Sequence, residues 1–232
     1  MPTSYTTVLF DLDHTLLDTH ESERQAYTHA MTEAGLANHA RHFARYVEIN
    51  SEMWRAVERG EQSPNDVKAQ RFVRLFEEIG HDADAVATGA AFAEGFGAFG
   101  DLYPGARELL ELTTAQARLV LITNGISAIQ RTRIERLELD QYFDAIAISG
   151  ELGFAKPGPE IFDYVFKALD QPADEQTIIV GDSLTSDMRG GLDYGIATCW
   201  YNPTGKLRPD SGFEALTFET ASLAEVGSIL SS

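Results

Sequence analysis

Five short apolar runs set the terms for this chain. Residues 6–11, Arg118–Thr123, residues 144–149, Thr177–Gly181 and residues 196–200 are rich in Val, Ile, Leu and Phe. They lack the polar alternation of a strand with one wet face. A strand that is apolar on both sides belongs in a sheet covered on both faces. Such sheets are parallel, because helices carry the chain back between strands. Residues 128–139 and 159–169 read as those amphipathic helices, the second opened by Pro159, whose fixed φ suits a first helical turn. The expected fold is α/β, with a doubly wound, parallel-sheet, Rossmann-like core.

The alternation fails in one place. Between residues 20 and 99 no strand is evident, and four helices fit, at residues 21–34, 41–59, Pro64–Ile79 and 83–99. Gly35, Gly60 and Gly80 fall where helices end, and Ser63 or Asn65 is placed to cap the third. The expectation is an all-helical cap inserted directly after the first strand. The core then comprises residues 1–18 and 103–232 and the cap residues 19–102, with hinges near 18–20 and 100–104. Residues 215–218 read as a last edge strand and residues 222–230 as a closing helix.

Composition removes several classes of function. A chain of 232 residues buries enough apolar surface to need no staples, and a lone cysteine, Cys199, builds neither a disulfide framework nor a thiolate zinc site. Thirty-six acidic against 18 basic residues give a net charge of −18, the wrong sign for coating a nucleic-acid polymer. No apolar run is long enough to span a membrane. Residues 1–5 carry neither the basic nor the apolar region of an export signal. A soluble, cytoplasmic monomer or homodimer is expected. If its substrate is an anion, the overall field repels it, so the site must bring its own positive charge.

Polar clusters follow four of the apolar runs. The first is Asp11-Leu12-Asp13-His14-Thr15, two carboxylates at i and i+2 where open α/β sheets bind ligands. Such a pair either closes the strand through Asx-turn bonds or works as nucleophile, acid/base residue or magnesium site. Thr123-Asn124-Gly125 offers a hydroxyl for a phosphate oxygen, or a plain turn. Lys156, one of four lysines, stands in the stiff segment Ala155-Lys156-Pro157-Gly158-Pro159 as a solvated lysine or a fixed charge for an oxyanion. Gly181-Asp182-Ser183-Leu184-Thr185-Ser186-Asp187 supplies two further carboxylates, as turn and cap or as hard oxygen ligands for Mg²⁺. Carboxylates, Thr, Lys and carboxylates, all at one sheet edge, assemble the charges that phosphoryl transfer needs. Gly95-Phe96-Gly97-Ala98-Phe99-Gly100 fits the dinucleotide pattern G-x-G-x-x-G, but no strand precedes it and Pro104 follows soon after, so it reads as the return hinge. The six histidines include no H-E-x-x-H pattern.

In Asp11-x-Asp13-x-Thr15, Thr123, Lys156 and Gly181-Asp182-x4-Asp187 the chain resembles the haloacid dehalogenase superfamily, chiefly its Mg²⁺-dependent phosphatases with a helical C1-type cap. Ile122-Thr123-Asn124-Gly125, the Gly181-to-Asp187 segment, Ala197-Thr198-Cys199-Trp200 and, in the cap, Asn50-x3-Trp54 and Arg71-Phe72 are similar to bacterial house-cleaning pyrimidine 5′-nucleotidases. The resemblance implies a phosphomonoester hydrolase with Asp11 as nucleophile, forming an aspartyl-phosphate, and Asp13 as acid and base. It implies Mg²⁺, or Mn²⁺ or Co²⁺ in its place, on the Asp11 carboxylate, the Asp13 carbonyl and Asp182. It further implies Thr123, Asn124 and Lys156 at the phosphate, with Asp187 orienting Lys156 or a metal-bound water. Asn50, Trp54 and Arg71 become substrate contacts, against core packing for Trp54 and a surface ion pair for Arg71. A small phosphomonoester, in particular a nucleoside 5′-monophosphate, is the implied partner, with a sugar phosphate or phosphoglycolate as the alternative. A haloacid dehalogenase leaves Asp13 and the Asp182/Asp187 pair without a task. A phospho-accepting signalling module leaves the cap without one.

Overall fold

A computed structural model describes residues 4–231; residues 1–3, part of the export-signal reading above, and residue 232 lie outside the described residues. The strands are β1 (Thr7–Phe10), β2 (Arg118–Thr123), β3 (Ala145–Ile148), β4 (Thr177–Gly181), β5 (Ala197–Tyr201) and β6 (Phe218–Thr220). They form one parallel sheet in the order β3-β2-β1-β4-β5-β6. Phe10 pairs with both Leu121 and Val180. The chain therefore leaves β1, β2 and β4 at the same edge, where all four polar clusters lie.

Burial on both faces explains why the strands were continuous apolar runs. Val8 and Phe10 pack with Leu119, Leu121, Ile178 and Val180 on one face. Leu9 packs with Val120, Ile122 and Ile179 on the other, as the two-residue period of a strand requires. Helices α5 (Ala106–Thr114), α6 (Ser127–Arg136) and α10 (Leu223–Leu230) contribute to the first layer through Leu109, Ile134 and Val226. The one-turn helix α7 (Ser149–Leu152) follows β3, and helices α8 (Pro159–Ala168) and α9 (Arg189–Tyr194) cover the second face through Ile161, Val165 and Leu192. The edge strand β6 begins where the expected 215–218 strand ends.

The cap consists of α1 (Thr19–Glu33), a 3₁₀ turn at His39–His42, α2 (Phe43–Glu58), α3 (Pro64–Ile79) and α4 (Ala85–Ala98). Its own core is aromatic, with Tyr27, Tyr46, Phe72 and Phe92 fully enclosed. Ser63, not Asn65, caps α3. The Asp66 N–H donates to Ser63 Oγ and the Ser63 N–H to the Asp66 carboxylate, a reciprocal capping box. The two connections between cap and core run side by side, with Asp18 N–H on the Asp101 carbonyl at 3.0 Å and Tyr103 N–H on the Leu16 carbonyl at 2.8 Å. The glycine cluster read as a hinge is mostly helical. Gly95 and Gly97 lie within α4, pressed against Ala26 and Thr132, and only Gly100, at φ +84°, is in the left-handed region of a turn. Among the described residues no helix is long and apolar enough to cross a membrane.

One glycine gives a stability prediction with a definite sign. A Cβ at Gly89 would sit 2.5 Å from the Lys68 carbonyl oxygen, where α4 crosses α3. Gly→Ala inside a helix normally stabilises by about 0.5–1 kcal/mol. Gly89→Ala is expected instead to cost about 1–3 kcal/mol, the price of overpacking. A fall in the denaturant midpoint is the expected observation, and a rise contradicts the close helix crossing.

Candidate active site

Asp11 directly follows β1, and its N–H still donates to the Val180 carbonyl, so the sheet fixes its backbone. One carboxylate oxygen accepts from Lys156 Nζ at 2.6 Å and the other from Thr15 Oγ1 at 3.1 Å. Lys156 is buried; its ammonium also donates to Asp187 Oδ1 at 2.6 Å and to the Ile122 carbonyl at 2.7 Å. Burial works against the lysine charge, but Asp11 and Asp187 outweigh it and push its pKa up, holding it protonated. Asn124 fixes the lysine backbone: its side-chain amide donates to the Lys156 carbonyl at 2.8 Å and its oxygen accepts the Lys156 N–H at 2.9 Å. Asp187 Oδ2 accepts the Ser183 N–H at 3.0 Å. A Cβ on Gly181 would overlap the Asp187 carboxylate, so this close approach requires glycine there.

Asp11, Asp182 and Asp187 place carboxylate oxygens within 4.8 Å of one another. Burial, above all, raises the pKa of Asp11 well above the usual carboxylate range, and Asp187 and Asp182 add to the rise while Lys156 opposes it. Burial likewise raises Asp182. These shifts describe a site short of positive charge, and its donors are hard oxygens. A divalent cation such as Mg²⁺ fits both conditions.

Asp13 stands in the opposite electrical setting. Its Oδ1 accepts from Arg133 Nη1 at 2.6 Å and Thr19 Oγ1 at 2.7 Å, and its Oδ2 from Gln130 Nε2 at 2.6 Å. Burial favours the neutral acid, but the Arg133 charge and these hydrogen bonds outweigh it and lower the pKa. Thr123 is fully buried behind this group, and its hydroxyl accepts from Gln130 at 2.8 Å.

A cavity of about 740 Å³ opens over Asp11 and Asp13 and reaches into the cap, where Glu23, Asn50, Trp54 and Arg71 line it. Arg71 is 2% exposed, so the surface ion pair is excluded. Its guanidinium lies 4.1 Å over the Phe92 ring. Arg71 Nη1 donates to Asn50 Oδ1 at 3.1 Å, and Asn50 Nδ2 donates to Glu23 Oε1 at 2.7 Å. Trp54 is half-buried, with one side on the cap core and another on the cavity.

A sequence profile of haloacid dehalogenase-like hydrolases matches residues 5–195, from β1 through the cap to the end of α9. The chain belongs to the haloacid dehalogenase-like hydrolase family. It is 34% identical over 226 residues to the HAD-hydrolase YfnB of Bacillus subtilis, covering 97% of this chain and 95% of YfnB. The crystal structure of YfnB bound to magnesium matches with a TM-score of 0.89 at 35% identity, over 99% of this chain and 100% of that one. The pyrimidine 5′-nucleotidase PynA of Streptococcus pneumoniae is 35% identical over 200 residues, 86% of this chain and 84% of PynA. The pyrimidine 5′-nucleotidase YjjG of Escherichia coli is 33% identical over 191 residues, 82% of this chain and 83% of YjjG.

In this hydrolase the structure gathers Asp11, Asp13, Asn124, Lys156, Asp182 and Asp187 around one cavity, with Thr123 just behind its wall. It sets Asn50, Trp54 and Arg71 on the cap side of the same cavity. Sequence reasoning missed Glu23, Gln130 and Arg133. A signal for the last two existed: they are three apart on a helix that starts just after Asn124-Gly125, so they share one face near the sheet edge.

Proposed function

We propose that this hydrolase is a divalent-metal-dependent phosphomonoesterase that works through an aspartyl-phosphate on Asp11, with pyrimidine nucleoside 5′-monophosphates as its substrate class. The observation that carries the reading is the opposite treatment of two carboxylates two residues apart: Asp11 shares the Lys156 ammonium with Asp187, whereas Asp13 has its own guanidinium. Asp11 Oδ attacks phosphorus in line and the bond to the ester oxygen breaks. Asp13 gives a proton to that oxygen as it leaves, then takes one from the water that attacks phosphorus and frees Asp11. The Arg133 contact favours the ionised form, the state that accepts the water's proton. Lys156 offsets charge on Asp11 and on the phosphoryl oxygens, and Asn124 and Asp187 keep it in place. Thr123 stands behind the phosphate position as a hydroxyl held by Gln130. Asp11, the Asp13 main-chain carbonyl and Asp182 would hold Mg²⁺, which supplies charge neutralisation between an anionic ester and a carboxylate.

Residues 19–102 act in this reading as a cap over a core of residues 1–18 and 103–232. The base of the nucleotide lies in the cap end of the cavity, against Trp54, with its polar edge toward Asn50 and Arg71. The two nucleotidase relatives support that choice over a sugar phosphate. The test is phosphate release from pyrimidine and purine monophosphates, phosphoglycolate, hexose phosphates and p-nitrophenyl phosphate, each with Mg²⁺ and with EDTA. Metal-dependent preference for pyrimidine nucleotides is expected; preference for another ester overturns the substrate class. Trp54→Ala is expected to raise KM for pyrimidine nucleotides about tenfold, in line with one lost stacking contact, and to leave KM for p-nitrophenyl phosphate within about twofold. Equal changes on both substrates would return Trp54 to core packing alone.

A further inference from the structure

Arg133 is a fully buried cation at the junction of core and cap. Its Nη1 donates to the Asp13 carboxylate, as above, and its Nη2 to Ser22 Oγ of α1 at 3.2 Å. The guanidinium plane lies 3.9 Å over the ring of Phe96 in α4. One side chain of the core thus touches the Asp13 carboxylate and two helices of the cap. One turn away on α6, Gln130 holds the other oxygen of Asp13, accepts from Arg133 Nη1 at 3.3 Å and bridges to Thr123. Gln130 itself is pinned by Gly125, where a Cβ would come within 2.6 Å of its side chain. Both carboxylate oxygens of Asp13 are therefore held by α6, Oδ1 also by Thr19 at the start of α1, and α6 touches the cap through Arg133.

We propose that Gln130 and Arg133 are positioning residues for Asp13, and that Arg133 links the placement of its carboxylate to the docking of the cap through Ser22 and Phe96. The inference rests on the acid/base role of Asp13 in the proposed function. With the cap seated, the guanidinium is held on both sides and Asp13 is aimed into the cavity. With the cap lifted, Arg133 loses Ser22 and Phe96, and Asp13 loses its fixed partner. Proton transfer to a leaving group is then available only when the cap covers the substrate, which also keeps water from the intermediate until the leaving group has gone.

Leaving-group dependence tests this. The ratio kcat/KM covers steps only as far as the aspartyl-phosphate. A nucleotide ester oxygen needs a proton at that stage and p-nitrophenolate does not. Arg133→Met is expected to lower kcat/KM for a pyrimidine nucleotide by about 10²-fold, the low end of a general-acid contribution, because the lost aim of the carboxylate outweighs relief from a guanidinium that by itself favours the ionised form, and that for p-nitrophenyl phosphate by less than about fivefold. Arg133→Lys is expected to recover part of the loss, because an ammonium keeps the charge but loses the planar fork that reaches Asp13 and Ser22 together. Ser22→Ala leaves every Asp13 contact in place and removes one of the two cap contacts of Arg133, with the Phe96 contact kept, together with the bonds of Ser22 to the Asp18 and Thr19 carbonyls. Its selective loss on the nucleotide is expected to be about tenfold, as for one hydrogen bond to a charged group, and it serves equally if Arg133→Met does not fold. Uniform losses on both esters would overturn the positioning role, and so would unchanged kinetics in Arg133→Met. A Ser22→Ala enzyme with wild-type ratios would overturn the cap link. Wild-type enzyme that releases phosphate from neither ester would overturn the proposed function along with the inference, and that outcome is read before any variant.

Discussion

Replacing Lys156 by methionine should both silence the enzyme and unsettle the fold. The ammonium is the shared partner of Asp11 and Asp187, each at 2.6 Å, on a side chain only 1% exposed at the wall of the cavity. Methionine fills much of the same volume, so the loss is one of charge rather than packing. It leaves two buried carboxylates facing each other with Asp182 nearby. Removing one member of a buried ion cluster costs about 3–5 kcal/mol, because the remaining charges stay desolvated and unpaired. The expected results are an unfolding free energy lowered by that amount in denaturant titration and a kcat lowered by at least about 10³-fold, as for removal of a preorganised charge-stabilising donor. A variant as stable as wild type would mean that the carboxylates do not depend on this lysine. A variant with near-normal kcat would remove Lys156 from the chemistry.

Asp11→Asn should give the opposite pairing of effects. The amide is a poor nucleophile, and turnover is expected to fall by on the order of 10⁴-fold or more, as when a nucleophile is removed. Stability should hold or rise. Burial, Asp187 and Asp182 all disfavour the Asp11 charge, and the amide oxygen still accepts from Lys156. Sites that store unfavourable charge for catalysis commonly gain stability when it is removed. The stabilisation that wild type gains from added Mg²⁺ should shrink in the variant, since a carboxylate ligand is gone. A melting temperature clearly below wild type in metal-free buffer would contradict the description of Asp11 as an electrostatically strained residue. Together the two variants separate charge that the fold needs from charge that only the chemistry needs.

Most of this architecture was legible in the sequence for one physical reason. A parallel sheet buried on both faces leaves long apolar runs, and β2 and β4 fall at the residues those runs marked. The four cap helices followed from the missing strands and from the glycines that end them. What escaped was written in residues whose environment reverses their usual meaning. Helix α9 carries Gly190-Gly191 in its middle, and a side chain at Gly191 would strike Ile179 and Thr198, so the helix packs on the sheet through its smallest residues. Gly95 and Gly97 mimic a hinge for the same reason. For Arg71 the sequence leaves a substrate contact and a surface ion pair both open, and it is the enclosure by Tyr46, Phe72 and Phe92 that excludes the second. Glu23, Gln130 and Arg133 are polar residues on helices and would ordinarily face water. Only the docking of cap on core turns them inward, and that is a long-range property no local pattern carries. The motif residues escaped this ambiguity because they all leave strands at the same edge, where local sequence and global placement coincide.

The proposed mechanism stands on a covalent phosphoryl group on Asp11. Rapid acid quench of enzyme turning over a phosphate-labelled pyrimidine nucleotide with Mg²⁺, followed by borohydride reduction and peptide sequencing, reads it directly. Label bound to protein within the first turnover is expected, with homoserine in place of Asp at position 11 after reduction, and neither in Asp11→Asn. Active turnover with no protein-bound label, or with the label on any other residue, would contradict it.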